Sequence, residues 1–237
     1  MVLCHQVATA FATTGRVHLG PAGWRCTSGA GARVAASLVA EQQPVTPLPF
    51  VWPYALLFWA VAVWAFWPEF GIPRRAQRSG NSKDAKSLQV ILLGMWIAFI
   101  GAFPLAWVPA LQLSGHRVSG FLAGVILLVS GSFLRRHCWR MLGASFTGDV
   151  RARADQEVVT RGAYAILRHP SYTAGIMLHP GVGIALGSWA SAVILAVASF
   201  AVYTYRIAVE ERALLAAIGK PYERFMRTRK RLIPFVY

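Results

Sequence analysis

Two polar clusters interrupt an otherwise apolar chain of 237 residues, and both carry side chains able to hold or move charge. The first is the run 156–172, Gln-Glu-Val-Val-Thr-Arg-Gly-Ala-Tyr-Ala-Ile-Leu-Arg-His-Pro-Ser-Tyr. It ends in Arg168-His169-Pro170-Ser171-Tyr172, directly before a new apolar stretch. Proline suits the first turn of a helix, where its missing N–H costs nothing, so Pro170 marks a helix start. The residue before a proline is pushed out of the helical region, which puts His169 at the helix mouth. A helix N-terminus offers free N–H groups and the positive end of the dipole, a site for a carboxylate or a phosphate. A loop-to-helix boundary anchored by an arginine and a tyrosine fits the same residues.

The second cluster follows the last apolar stretch without a helix breaker. Arg206 and Glu210 are four residues apart and share one helix face. On a solvated helix such a pair adds about 0.3 kcal/mol. Beside a membrane span an ionisable group instead faces a cavity or a partner, and a guanidinium there can grip a carboxylate through two hydrogen bonds. Glu211 lies about 100° further round the helix and is expected to be solvated. Gly219 followed by Lys220-Pro221 reads as a helix stop and a new start.

Other chemistries are excluded by spacing. The three cysteines, Cys4, Cys26 and Cys138, show no CxxC pattern, so neither a disulfide framework nor a zinc site is expected. The six histidines show no HExxH or comparable spacing, and no metal is expected. A P-loop, a Rossmann glycine signature and a Gly-x-Ser-x-Gly elbow are all missing. His137-Cys138, beside Arg135 and Arg136, reads as an interfacial anchor.

The elements that must hold these clusters are membrane helices. The chain is 56% hydrophobic and 14% charged, against about 25% charged for an ordinary soluble domain. Its apolar residues fall into blocks at 50–67, 88–111, 118–134, 172–186 and 189–205. A bilayer span takes roughly 20 residues; the fourth block is short, contains His179 and Pro180, and suits a tilted span or half of a hairpin with the fifth. Basic residues alternate rich, poor, rich, poor, rich along the connections, which places the N-terminus outside and the C-terminus in the cytoplasm. The expected fold is an all-α integral membrane protein of about five transmembrane helices, whose cytoplasmic loop and C-terminal helices form the site. Residues 1–47, rich in small residues and with no acid before Glu41, are expected to form a poorly ordered tail ahead of a membrane domain at 48–237. The net charge of +15 suits loops facing anionic headgroups, and no nucleic-acid motif accompanies it. The segment 221–234 reads as a short amphipathic helix with Tyr222 and Phe225 on one side, lying along the interface and closing over the loop before the fourth block.

The run 156–172 resembles the pattern of the isoprenylcysteine carboxyl methyltransferases, roughly His-x-Leu-Val-Thr-x-Gly-x-Tyr-x-x-x-Arg-His-Pro-Ser-Tyr. It matches at Val159, Thr160, Gly162, Tyr164, Arg168, His169, Pro170, Ser171 and Tyr172. Leu142-Gly-Ala-Ser-Phe146 upstream, and Arg206-x-x-x-Glu210-Glu211, Gly219-x-x-Tyr222 and Pro234 downstream, fit the same family. The resemblance covers 142 to the end of the chain; the C-terminal pattern is more distantly similar to phospholipid methyltransferases and some membrane sterol reductases. It implies a multi-pass membrane methyltransferase using S-adenosylmethionine, with a cofactor region at 142–172 and 206–237. Carried over residue by residue, Gln156, Glu157, Val158 and Val159 line the cofactor site, and Tyr164, His169, Pro170, Ser171 and Tyr172 complete it. Arg206 and Glu210 match positions associated with substrate binding and are expected to carry catalysis. Gln156 departs from the family's usual histidine; a glutamine can donate a hydrogen bond but cannot carry a proton. Ala163 stands where bacterial relatives often have proline.

The physical reading is compatible. A sulfonium cofactor already carries an activated methyl group, so transfer to a carboxylate or thiolate rests on positioning and desolvation. Hydrophobic helices suit a lipid-tailed acceptor, such as a prenylated cysteine or a similar lipophilic acid, alongside membrane lipids as partners. A phospholipid or thiol methyltransferase, a nicotinamide-dependent reductase on a related scaffold, and a non-catalytic membrane protein or transporter stay open on the residues alone. Arginine outnumbers lysine twenty to four, which points to a GC-rich genome and a bacterial plasma membrane rather than the endoplasmic reticulum.

Overall fold

The structure is a computed structural model that describes residues 45–71, 85–113, 115–143 and 158–233. By contacts the chain divides into units 1–43 and 44–237, and all described residues lie in the second. Among them every regular element is helical: α1 (Tyr54–Phe66), α2 (Ala85–Leu105), α3 (Arg117–Leu142), α4 (Pro170–Ala185), α5 (Trp189–Ile218) and α6 (Lys220–Thr228), with short 3-10 turns between them. Four helical stretches among the described residues are long and apolar enough to cross a membrane: Tyr54–Gly71, Ser87–Leu105, Arg117–Leu142 and Trp189–Ile218.

The boundaries depart from the apolar blocks for local reasons. The second block was expected to run to 111, but α2 ends at Leu105, one residue after Pro104. The chain then turns, and Gln112 donates to the carbonyls of Ala106 and Val45. The third block continues as helix to Leu142, because nothing in Arg135-Arg136-His137-Cys138-Trp139-Arg140 breaks it; Gly143, at φ 53°, does. Gly219, at φ 71°, likewise ends α5 where the sequence placed the stop, and α6 starts at once.

The short fourth block forms α4, 16 residues with Pro170 in its first turn. A helix of that length rises about 24 Å, a little less than the roughly 30 Å hydrocarbon core. It nevertheless joins both ends of the bundle. At its start, Ser171 bonds to α3 through Arg135 and Trp139. Just past its end, the Gly187 carbonyl accepts from the Leu113 amide between α2 and α3. α4 is therefore the first arm of a hairpin with α5, turning through Gly187 at φ 75° and capped by the Ser188 hydroxyl on the Ser191 amide.

Small residues let α4 sit this deep. A Cβ on Gly124 of α3 would lie 2.4 Å from the Ala185 amide nitrogen, and one on Gly183 would lie 2.3 Å from that of Ala192. Backbones brought this close gain packing and interhelical contact, the main attraction available inside lipid. Buried serines supply the polar ties: Ser191 donates to the Ala102 carbonyl at 2.6 Å, and Ser132 to that of Ala65 at 3.3 Å. α1 and α2 meet instead through rings, Trp59 on Phe103 and Phe66 on Phe99. Trp96, Ile97 and Ile100 of α2, Ile126 of α3 and Val197 of α5 are exposed outward, the surface expected of a bundle solvated by lipid.

Candidate functional site

The polar groups converge at one end of the bundle, around the first turn of α4. His169 takes the cap position with a non-helical backbone, and its carbonyl receives the amides of Tyr172 and Thr173. This turn is gripped from three sides. From α3, Arg135 donates Nη1 to the Ser171 carbonyl at 2.9 Å and Nη2 to Glu69 at 2.9 Å. The indole of Trp139 donates to the Ser171 hydroxyl at 3.1 Å. Arg135 is buried, its guanidinium over the rings of Trp139 and Tyr203. Of the pair read from sequence as an interfacial anchor, His137 is exposed and Cys138 is buried. Beside them, Arg136 lies over Trp64, while Arg135, buried with a carboxylate partner, braces α4.

From α5, Glu210 accepts the Tyr172 hydroxyl at 2.6 Å. The Tyr172 ring stacks between Tyr203, 5.2 Å away, and His169, 5.7 Å away. Arg206, 4% exposed, donates to the Ser87 hydroxyl of α2 and acts electrostatically on the same Tyr172 hydroxyl. The predicted pair thus shares a helix face, on which Glu210 also takes the Tyr172 hydroxyl and Arg206 also reaches Ser87.

Glu211 overturns the sequence expectation. It is 4% exposed rather than solvated. Its Oε1 takes Arg168 Nη1 at 2.9 Å and His169 Nε2 at 3.2 Å, and its Oε2 takes Arg231 Nη2 at 3.0 Å. Burial is tolerated because two guanidiniums and an imidazole replace the lost water. From the third side, the segment after α6 pairs with the approach to α4 through an isolated parallel bridge. The Arg168 amide donates to the Lys230 carbonyl at 2.8 Å, that of His169 to Arg231 at 3.1 Å, and the Thr173 hydroxyl to the Leu232 carbonyl at 2.7 Å. α6 turns Tyr222 and Phe225 into the protein, so its apolar side covers the site instead of facing lipid.

Of the remaining predicted residues, Val158 and Val159 are half-buried, and Tyr164 is buried on the turn Gly162–Ala165. Gly162 has φ 59°, and a Cβ there would meet Met141 Sδ at 2.3 Å, which ties this turn to the end of α3. Burial pushes the phenols of Tyr164 and Tyr222 upward, so both stay protonated. Gln156 and Glu157 lie outside the described residues.

A helix mouth, a tyrosine bound to a carboxylate and a buried arginine thus gather at one end of an otherwise apolar bundle. The overall fold matches the solved eukaryotic intramembrane Ras methyltransferase ICMT, isoprenylcysteine carboxyl methyltransferase, with a TM-score of 0.50 over 85% of this chain and 75% of that one, at 22% identity. The fold is therefore that of an all-helical, multi-span membrane protein.

Residues 119–220 match the phospholipid methyltransferase family. The chain is 30% identical over 115 residues to protein-S-isoprenylcysteine O-methyltransferase B of Arabidopsis thaliana, covering 48% of this chain and 58% of the relative. It is 31% identical over 121 residues to the A form of the same plant, covering 50% and 60%. It is 29% identical over 111 residues to the Schizosaccharomyces pombe protein-S-isoprenylcysteine O-methyltransferase, covering 46% and 47%. The matched part thus spans about half the length of these curated relatives. The resemblance to the isoprenylcysteine carboxyl methyltransferases, first carried by two motifs, extends to the surrounding sequence and to the fold.

Proposed function

We propose that this chain is an S-adenosylmethionine-dependent membrane methyltransferase that methylates the carboxylate of a prenylated cysteine or a similar lipophilic acid. The observation that carries this reading is the hydrogen bond from Tyr172 to Glu210, with Arg206 beside it. It joins the two motif segments at one point, where an apolar tail and a polar headgroup can meet.

The residues fit the cofactor on chemical grounds. Arg168 and Arg231 surround the single carboxylate of Glu211. Together with the dipole of α4 this leaves surplus positive charge for a carboxylate. Val158, Val159, Tyr164 and the His169–Tyr172 turn form the remaining wall, with Gln156 and Glu157 assigned by resemblance. When bound, S-adenosylmethionine supplies an activated methyl group on sulfur. The protein's own task is orientation: Arg206 holds the acceptor carboxylate, and Glu210, fixed by Tyr172, holds negative charge beside the reacting centre. Burial at the end of the bundle keeps water away and strengthens both effects. No strong base is required, because a carboxylate acceptor is already ionised at neutral pH.

The basic end of the bundle, with Arg135, Arg136, Arg140, Arg168 and Arg206, suits the cytoplasmic side, and the end bearing Arg117 suits the outside. This orientation leaves the N-terminus outside and the C-terminus cytoplasmic. The similar proteins named above are eukaryotic, so a bacterial plasma membrane rests on the arginine excess alone.

Calorimetry with S-adenosylmethionine on detergent-purified protein tests the cofactor. Transfer of a labelled methyl group to a prenylated cysteine, with phosphatidylethanolamine as the competing acceptor, tests the substrate. Cofactor binding with ester formation supports the reading. Methylation of the phospholipid amine alone overturns the acceptor, and a folded protein that binds no S-adenosylmethionine overturns the whole.

A further inference from the structure

Glu211 is not needed for the chemistry outlined above. Tyr172 is served by Glu210, while Glu211 touches three groups drawn from two other parts of the chain. Its contacts are Arg168 Nη1 at 2.9 Å, His169 Nε2 at 3.2 Å, Arg231 Nη2 at 3.0 Å and Arg231 Nε at 3.2 Å. Arg168 and Arg231 sit on two short parallel segments that bond through Leu167, Arg168 and His169 on one side and Lys230 and Arg231 on the other. A pairing this short does not hold itself together, and here it brings Arg168, Lys230 and Arg231 side by side. Like charges so close repel unless a counter-charge lies between them. Glu211 supplies that charge from α5.

We infer that Glu211 is a positioning residue that latches the segment 230–232 onto the mouth of α4 and fixes the His169 ring, so that this wall of the site is set before a cofactor arrives. The latch works in two ways. By accepting from Nε2–H it orients His169 against Tyr172, with the rings 5.7 Å apart and 26° from parallel. By accepting from both Nη2 and Nε of Arg231 it holds that guanidinium as a planar fork. Because Glu211 follows Glu210 directly, the same helix register that brings Glu210 to Tyr172 brings Glu211 to His169. The cofactor-binding part of this inference rests on the proposed function; the latch itself does not.

The test uses the full chain in detergent with Glu211→Gln, Arg231→Gln and the double variant. Tryptic cleavage after Arg229 and Lys230 is timed without cofactor, and S-adenosylmethionine binding is measured by calorimetry. Glu211→Gln is expected to speed cleavage and weaken binding by about tenfold each, the loss of one charge-assisted bond in a buried cluster. Arg231→Gln is expected to do the same more mildly, and the double variant to add little to Glu211→Gln. In turnover, the KM for the cofactor rises by a larger factor than kcat falls. Wild-type cleavage and binding in Glu211→Gln overturn the inference. If that variant does not fold, Arg231→Gln decides by the same two readings, since its side chain is partly exposed and its loss leaves Glu211 paired with Arg168 and His169. A wild-type protein that binds no S-adenosylmethionine defeats the proposed function, while the cleavage times still judge the latch.

Discussion

Replacing Tyr172 by phenylalanine removes one oxygen from the point where the two motif segments meet. The hydroxyl donates to Glu210 at 2.6 Å, and Arg206 also acts on it. The ring itself stays, held between Tyr203 and His169, so the protein is expected to fold. A hydrogen bond to a charged group contributes about 1.5–3 kcal/mol, and more is lost when the remaining partner stays buried. If Glu210 depends on this bond for its position, kcat/KM toward a prenylated acid falls by about 10- to 150-fold, at 1.4 kcal/mol per factor of ten. The assay is transfer of a labelled methyl group at varied acceptor concentration, with calorimetry reporting cofactor affinity on the same sample. A variant whose kcat/KM stays within about twofold of wild type would refute the assignment of Glu210 as a group oriented by Tyr172.

Further outcomes follow from neighbouring contacts. Arg135→Met leaves Glu69 without its buried partner and frees the Ser171 carbonyl, at a cost of about 3–5 kcal/mol, visible as a lowered unfolding temperature in detergent. Arg206→Ala is expected to abolish turnover of an acid acceptor while S-adenosylmethionine binding, read by calorimetry, largely persists; full activity would remove Arg206 from the site. Gly183→Ala forces a Cβ to within 2.3 Å of the Ala192 backbone, and the hairpin of α4 and α5 is expected to give little folded protein by size-exclusion chromatography. Burial raises the phenol pKa of Tyr164 and of Tyr222 above the ordinary value. A group shifted upward on folding lends its full stability below the unfolded pKa and loses it above, so unfolding free energy should fall as pH rises past about 10. Tyr164→Phe should flatten that fall.

Much of this protein was legible in the order of its residues. Pro170 as a helix start, Gly219 as a helix stop, the apolar blocks and the alternation of basic connections are local properties, set by backbone sterics and by the cost of charge in lipid. The motif at 156–172 and the Arg206-Glu210 spacing likewise marked two segments that meet through Tyr172 and Glu210. Block ends were less legible: composition alone could not show that α2 stops at Leu105, after Pro104, while α3 runs on through its arginines to Leu142. What the linear order left undetermined was which charge meets which. Glu211 looked solvated on its own helix, yet it pairs with residues 42 positions back and 20 positions ahead. Nothing in the linear order paired Arg135 with Glu69, 66 positions back, or Ser87 with Arg206, 119 residues away. Helical periodicity fixes the direction of a side chain relative to its own axis, whereas burial of a charge depends on which neighbour fills the space beyond. That neighbour is decided only by tertiary packing, which near the start of α4 sets Gly175 against the Tyr203 ring of α5 and Gly131 of α3 against the Ala174 carbonyl.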